Sequence, residues 1–158
     1  METATVLYDL DCGFCRWSMA RVLAWDRRRR LRPMAIQDAE GAELLAPLAP
    51  AARLASWHVS FADGRLYSAG PALPQVVGLL PGGRVPAAVM RALLPVTGWA
   101  YRLVANHRAV PGRLVSAAAK RRATEAIRAR SAPDSLIFDE RAAAGRAGPD
   151  AAAAPCAQ

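Results

Sequence analysis

A transition from strand to helix near the N-terminus constrains the fold more than any other feature. Residues 4 to 8, ATVLY, form a short apolar run of the length and composition of a buried strand. The next apolar residues recur at helical spacing and share one face: Cys15, Met19, Val22 and Leu23. The sequence therefore predicts a strand followed closely by a helix, with two cysteines at the junction.

The segments that follow predict a sheet connected by helices. We expect the first helix to end within DRRRR, residues 26 to 30, where cations face the negative end of the helix dipole. Residues 31 to 37 predict a second strand, for which Pro33 indicates either the edge of a sheet or a later start. Residues 38 to 46 predict a short helix with Asp38 at its N-cap.

A β-hairpin and a helix complete the predicted core. Residues 56 to 61 alternate as a half-buried strand with His58 on the polar face, and the turn ADGR leads to a strand at 66 to 68. Pro71 is placed at the first position of a helix that runs to about residue 80. The order strand, helix, strand, helix, hairpin, helix (βαβαββα) is that of a thioredoxin-like α/β domain in its glutaredoxin-like form.

The length of 158 residues suits one domain with appended segments. We expect residues 1–80 to form the thioredoxin-like core and residues 81–130 a C-terminal helical extension packed on it. Residues 131–158 are expected to form a flexible, disordered tail that carries Cys156. An apolar stripe from Val96 to His107 predicts that one helix of the extension packs against another element.

Charge and hydropathy bear on partners and location. Lys and Arg number 21 against 13 Asp and Glu, and the net charge of +8 would attract an anionic partner. The basic stretches 27–30 and 113–130 lack the motifs of nucleic-acid readers, so we predict at most a weak anionic partner and no specific nucleic acid. A secretory signal is missing at the N-terminus, and Arg91 and Pro95 interrupt the longest apolar run. We therefore expect a cytoplasmic protein without a transmembrane segment.

Cys12 and Cys15 are the main candidates for chemistry among three cysteines. In a reducing cytosol a close pair is more often catalytic, redox-sensing or metal-binding than structural, although two buried thiols remain an alternative. A zinc site commonly needs four ligands, and His58, His107 and Cys156 stand at no recognisable spacing from the pair. We predict no metal and no organic cofactor.

The spacing of the two cysteines allows dithiol chemistry. Cys12 would lie at the helix start, where free backbone N–H groups and the positive end of the dipole favour its thiolate as the nucleophile. Cys15, one turn later, would resolve the mixed disulfide. Asp9 and Asp11 would oppose the thiolate and Arg16 would favour it, while Asp11 could instead cap the helix or accept a proton.

The remaining residues of the motif are assigned supporting roles. Gly13 and Phe14 separate the cysteines, and Phe14 is expected to be partly exposed and to tune access to the pair. Trp17 would line the rim of the site or pack on the C-terminal helices, and the sequence does not separate these alternatives.

The stretch YDLDCGFCRW resembles the signature of the DCC family of thiol-disulfide oxidoreductases, named for the Asp-Cys-x-x-Cys pattern of Asp11, Cys12 and Cys15. The likeness continues in LRPMAIQ, DGRLYSAGPAL and LLPVTGWAYRLVANHR, and covers about residues 4–110. It implies a thioredoxin-like fold and thiol-disulfide chemistry, and it names no substrate. From the dithiol itself we expect a thiol or disulfide substrate that is a protein, and an electron-donor thiol system.

Two positions depart from the family and from thioredoxins. Leu10 stands where the family has Gly between the two aspartates. Thioredoxins carry a cis-proline just before the hairpin, whereas Pro47 and Pro50 are several residues from Trp57. The protein-substrate groove of a thioredoxin is therefore not implied. The alternative function is a thioredoxin-fold binding module that docks an anionic partner through its basic helices without redox turnover.

Overall fold

The computed structural model describes residues 2–107 and 109–131. Its centre is a four-stranded sheet in the order β2-β1-β3-β4. The strands are β1 (Ala4–Tyr8), β2 (Leu31–Ala35), β3 (His58–Phe61) and β4 (Leu66–Ser68). β1 pairs in parallel with β2 and antiparallel with β3, and β3 pairs antiparallel with β4. The mixed sheet with its helices confirms the predicted α/β class and is compatible with a thioredoxin-like fold.

Eight helices are found in the described part of the chain. They are α1 (Gly13–Trp25), α2 (Ala39–Leu44), α3 (Pro50–Ala55), α4 (Ala72–Leu79), α5 (Arg84–Ala92), α6 (Leu94–Asn106), α7 (Ala109–Leu114) and α8 (Ala117–Ser131). α8 packs against α1 and β2, and α4 packs against α5 and β3. The division into a core, an extension and a tail stays a prediction, and Cys156 lies outside the described residues.

The core has two clusters, one on each face of the sheet. Val6, Met19 and Val59 belong to a cluster that includes residues of α1, α4 and α8, whereas Leu7 and Leu45 belong to a smaller one. Because successive residues of β1 point to opposite faces, both faces of this strand are buried. The sheet is therefore covered on both sides, and the carboxyl end of β1 leads directly into α1.

The edge position of β2 confirms the prediction from Pro33, since a residue without an N–H cannot complete a central ladder. α1 ends earlier than expected, at Trp25, because Asp26 takes the C-cap position and begins the turn into β2. The arginines of residues 27–30 therefore follow the helix instead of forming its last turn.

The expectation of a half-buried β3 is wrong. All four of its residues are buried, including His58. β3 is a central strand, and α3, which the sequence reading missed, covers the face that was expected to be polar. The Nε2 atom of His58 lies 2.8 Å from the carbonyl oxygen of Arg53, and its Nδ1 atom lies 2.7 Å from the hydroxyl of Ser68.

The apolar stripe of α6 is less buried than the prediction of a packed helix implied. None of the residues of α6, all of them described, is buried, and Trp99 and Val96 are exposed. The helix nevertheless contacts another element, as expected, because the Tyr101 hydroxyl accepts a hydrogen bond from the backbone N–H of Trp57. Part of it lines a cavity, and the rest faces outward.

Candidate active site around Cys12 and Cys15

Cys12 occupies the N-cap of α1, directly after the loop that leaves β1. Its backbone is extended, with φ −82° and ψ 106°, and its Sγ accepts a hydrogen bond from the backbone N–H of Cys15 at 3.3 Å. Neither cysteine forms a disulfide; Cys12 is half-buried, and Cys15 is only 7% exposed. The sulfur of Cys12 therefore stands at the start of a helix, with a backbone N–H directed at it.

The two aspartates before Cys12 are held by a side chain that the sequence reading missed. Gln37 donates from Nε2 to Asp9 Oδ1 at 2.8 Å and to Asp11 Oδ2 at 3.4 Å, and its Oε1 accepts from the backbone N–H of Leu10 at 3.2 Å. Asp9 Oδ1 also accepts from the N–H of Asp11. Since β1 and β2 are parallel neighbours, Gln37 follows the strand end beside the site, and this adjacency was the available signal.

The alternative in which Asp11 caps α1 is wrong, because Cys12 occupies the N-cap position. The carboxylate of Asp11 instead faces Gln37. The two aspartates therefore shape the loop that delivers Cys12, and Leu10 contributes its backbone to the same contact.

Phe14 and Trp17 form a layer on the outer side of α1. Their ring centroids are 6.0 Å apart at an interplanar angle of 26°, and the guanidinium of Arg21 lies 5.6 Å from the centre of the Trp17 ring. Phe14 is partly exposed, as expected. Trp17 is held on both sides, which orients the aromatic surface next to the cysteines.

The charge of Arg16 acts on a second ionisable group, the hydroxyl of Tyr8. Burial, and then the carboxylate of Asp38, raise the pKa of Tyr8, whereas the charges of Arg16 and Arg128 act in the opposite direction. The Nε atom of Arg16 is buried and has no hydrogen-bond partner among the described residues. The charge of Arg16 thus acts on Tyr8 at the end of β1.

Gly13 lies in contact with the only lysine of the chain. A Cβ atom added at Gly13 would stand 3.1 Å from both Cδ and Cε of Lys120. The ammonium group, one bond beyond Cε, therefore lies at the first turn of α1. The helical extension thus adds a cation to the site, which sequence reasoning did not assign.

An apolar cavity of about 610 Å³ adjoins the cysteine pair. Its wall includes Cys15 and Ser18 of α1, Trp57 before β3, and Met90 and Tyr101 of α5 and α6. The Tyr101 hydroxyl accepts a hydrogen bond from the backbone N–H of Trp57 at 2.8 Å, which fastens α6 over the entry to β3. This wall was not predicted, because it depends on how α6 folds back over the core.

The geometry agrees with a comparison of the sequence with known families. A sequence model described as DCC1-like thiol-disulfide oxidoreductase matches residues 6–113. The chain belongs to this family. Comparison with curated proteins and with solved structures found no match.

Membership of the DCC1-like family confirms the resemblance and makes thiol-disulfide oxidoreduction the class of chemistry. The matched residues run from β1 to α7, so they include the cysteine turn and the α6 wall, while Lys120 lies beyond them. Within residues 2–107 and 109–131, no group of three or more His, Cys, Asp or Glu side chains could hold a metal ion.

Two further observations on this DCC1-like chain concern its peptide bonds and the length of its helices. No peptide bond among the described residues is cis. None of the helices in the described part of the chain is long and apolar enough to cross a membrane.

Proposed function

We propose that the protein exchanges thiols and disulfides through Cys12 as the nucleophile and Cys15 as the resolving thiol. The observation that carries this proposal is the hydrogen bond from the N–H of Cys15 to Cys12 Sγ at the start of α1. It favours negative sulfur on Cys12 and keeps the backbone of Cys15 within one helical turn. Cys12 is also the more exposed of the two thiols.

The exchange proceeds in two displacements. The Cys12 thiolate attacks one sulfur of a substrate disulfide, the substrate S–S bond breaks, and the leaving thiolate takes a proton from solvent. Cys15 then loses its proton and attacks Cys12 Sγ in the mixed disulfide, which releases the second substrate thiol. The substrate gains two electrons, and the protein becomes a Cys12–Cys15 disulfide. A donor dithiol resets it, and the same steps in reverse oxidise a substrate dithiol.

The supporting residues have roles that follow from their contacts. Asp9 and Asp11, joined by Gln37, hold the loop before the nucleophile. The absence of a side chain on Gly13 leaves room for the Lys120 stem. A cation at this turn favours the thiolate and offsets the repulsion from the two carboxylates.

Phe14, Arg16 and Trp17 belong to the first turns of the same helix. The stacked rings of Phe14 and Trp17 limit the directions from which a disulfide reaches Cys12. Arg16 adds positive charge next to Cys15 in the sequence and favours the anionic form of the pair.

The cavity supports a substrate whose cysteine is flanked by apolar groups, such as an apolar segment of a protein. Cys15 forms part of a wall that is almost entirely apolar, and Asp9 is its only charged side chain among the described residues. A strongly anionic thiol such as glutathione finds no cation in this wall. A reducing cytoplasm with a thiol electron donor is the location we propose, from the isolated cysteine pair.

Replacing the resolving thiol tests the proposal. The Cys15→Ser variant should accumulate a mixed disulfide on Cys12 with protein substrates, stable until a reductant is added. The Cys12→Ser variant is the matched control and should neither trap substrate nor turn over a dithiol-dependent dye. Trapping on Cys156 in place of Cys12 would contradict the assignment of the nucleophile.

The alternative, a binding module without redox turnover, rests on the basic helices. One cation of α8 already has a partner within the protein, because Arg130 pairs with Asp26, and the stem of Lys120 lies against Gly13. Docking through the exposed arginines should weaken steeply as salt increases, whereas disulfide turnover should not. A wild-type protein inactive towards several disulfides would favour this alternative.

A further inference from the structure

The exposed large apolar residues are concentrated in α5, α6 and α7. Val85 is 73% exposed, Trp99 is 61% exposed and Leu114 is 85% exposed. Val89, Val96 and Leu103 are also about half exposed or more. Single exposed apolar residues are ordinary, but so many on three successive helices indicate an interaction surface, and Val89 and Val96 line the same cavity. We call the exposed surface of these three helices the apolar face.

The apolar face is also cationic. No Asp or Glu occurs in the sequence between Asp63 and Glu125. Arg84 stands next to Val85, Arg102 follows Trp99 by three residues, and Arg113 stands next to Leu114. The guanidinium group of an arginine can reach the rim of an apolar contact while the aliphatic part of its side chain stays within the contact. All three arginines are exposed, and exposed arginines on the same helices as exposed Trp, Leu and Val fit a surface with an apolar interior and anionic headgroups.

We propose that the apolar face docks on the surface of an anionic lipid membrane. A second copy of the chain is a poorer occupant, because two such cationic faces would repel each other. The helices of the face are too short and insufficiently apolar to span a bilayer, so the contact is peripheral. Trp99 and Leu103 enter the headgroup and acyl boundary, while the arginines pair with lipid phosphates.

Docking would bring the cysteine site close to the membrane. Val89, Val96 and Val104 belong to the exposed apolar residues and also line the cavity that Cys15 borders. The two surfaces are therefore continuous, and a substrate held at the bilayer surface reaches the cavity without crossing bulk water. The docking itself does not depend on the proposed disulfide exchange, because neither cysteine takes part in it.

Sedimentation with vesicles tests the proposal on the full chain. We expect the protein to bind vesicles made of phosphatidylcholine and phosphatidylglycerol, and not to bind vesicles made only of phosphatidylcholine. High salt should abolish the binding. Removing two charges in the double variant R102Q/R113Q should weaken binding about thirtyfold. The double variant R27Q/R28Q removes two exposed charges outside the face and is the matched control, expected to retain binding.

The apolar contribution has its own test. The variant W99S/L103S should bind vesicles with an affinity lower by about tenfold or more. It should keep disulfide turnover in vesicle-free buffer, because neither residue lines the cavity. Brominated lipid should quench tryptophan fluorescence in the wild type, and W99F should bind yet show less quenching.

Three results would overturn the proposal. Equal losses in R102Q/R113Q and R27Q/R28Q would mean that net charge alone drives binding. Vesicle binding that W99S/L103S leaves unchanged would exclude the apolar face. A concentration-dependent dimer that W99S/L103S abolishes, without vesicle binding, would assign the face to a second copy of the chain.

Discussion

Arg130 and Asp26 tie the last turn of α8 to the end of α1. Arg130 Nη2 donates to Asp26 Oδ2 at 2.5 Å and to the Asp26 carbonyl oxygen at 2.9 Å. Asp26 is fully buried, Arg130 is 16% exposed, and the carboxylate also accepts from the N–H groups of Arg30 and Leu31. One buried carboxylate thus fixes both the α1–β2 turn and the position of α8.

Arg130→Ala should lower the free energy of unfolding by about 3 kcal/mol, because it leaves a buried carboxylate without its charged partner. Urea denaturation measures the change. Arg122→Ala, at an exposed position of the same helix, is the control and should change stability by less than about 0.5 kcal/mol. Similar small effects of the two substitutions would contradict a structural role for the ion pair.

Lys120→Met should reduce the rate at which iodoacetamide modifies Cys12 at neutral pH by about threefold, because Met keeps the contact with Gly13 and removes the charge. Mass spectrometry of the modified peptide gives the rate for Cys12 separately from Cys156. Arg121→Met removes one charge from the neighbouring exposed position and should leave the rate unchanged. Equal rates in the two variants would remove Lys120 from the site.

His58 should make stability depend on pH. Burial lowers the pKa of His58 from its usual 6.5, and the contact with the Arg53 carbonyl only partly offsets this. Below about 6.5 the unfolded chain therefore binds a proton that the folded chain does not. The free energy of unfolding should fall as pH decreases in this range, by up to about 1.4 kcal/mol per pH unit.

Denaturation at a series of pH values measures this slope, and His58→Gln should remove it. Asp63 and Glu40 have pKa values lowered by their arginine partners, so their effects appear only at more acidic pH. A slope that persists in His58→Gln would assign the pH dependence to other groups.

Tyr101→Phe should loosen α6 over the cavity. The substitution removes the acceptor of the Trp57 N–H and should cost about 1 kcal/mol of stability. Hydrogen exchange should accelerate at the Trp57 amide, while the amide of Val59, inside the sheet, serves as the control. Unchanged exchange at Trp57 would mean that this hydrogen bond does not hold the cavity wall.

Several sequence predictions succeeded because they depended on neighbouring residues alone. The apolar run of residues 4–8 and the helical spacing after Cys15 located β1 and α1, and Pro33 located the sheet edge. The prediction for His58 failed because alternation in β3 indicates two faces but does not indicate what covers each. The short helix α3 covers the face of β3 that carries His58 and that was predicted to be polar.

The amino-acid sequence by itself determined the strand, the turn with Cys12 and Cys15 and the helix after it, since hydrophobic period and helix-start geometry are local properties. Only the tertiary structure decided what surrounds that turn. Gln37 contacts Asp9 across 28 residues, Tyr101 contacts Trp57 across 44, and Arg130 contacts Asp26 across 104. Contacts between such distant segments depend on how whole helices pack, which no local pattern encodes.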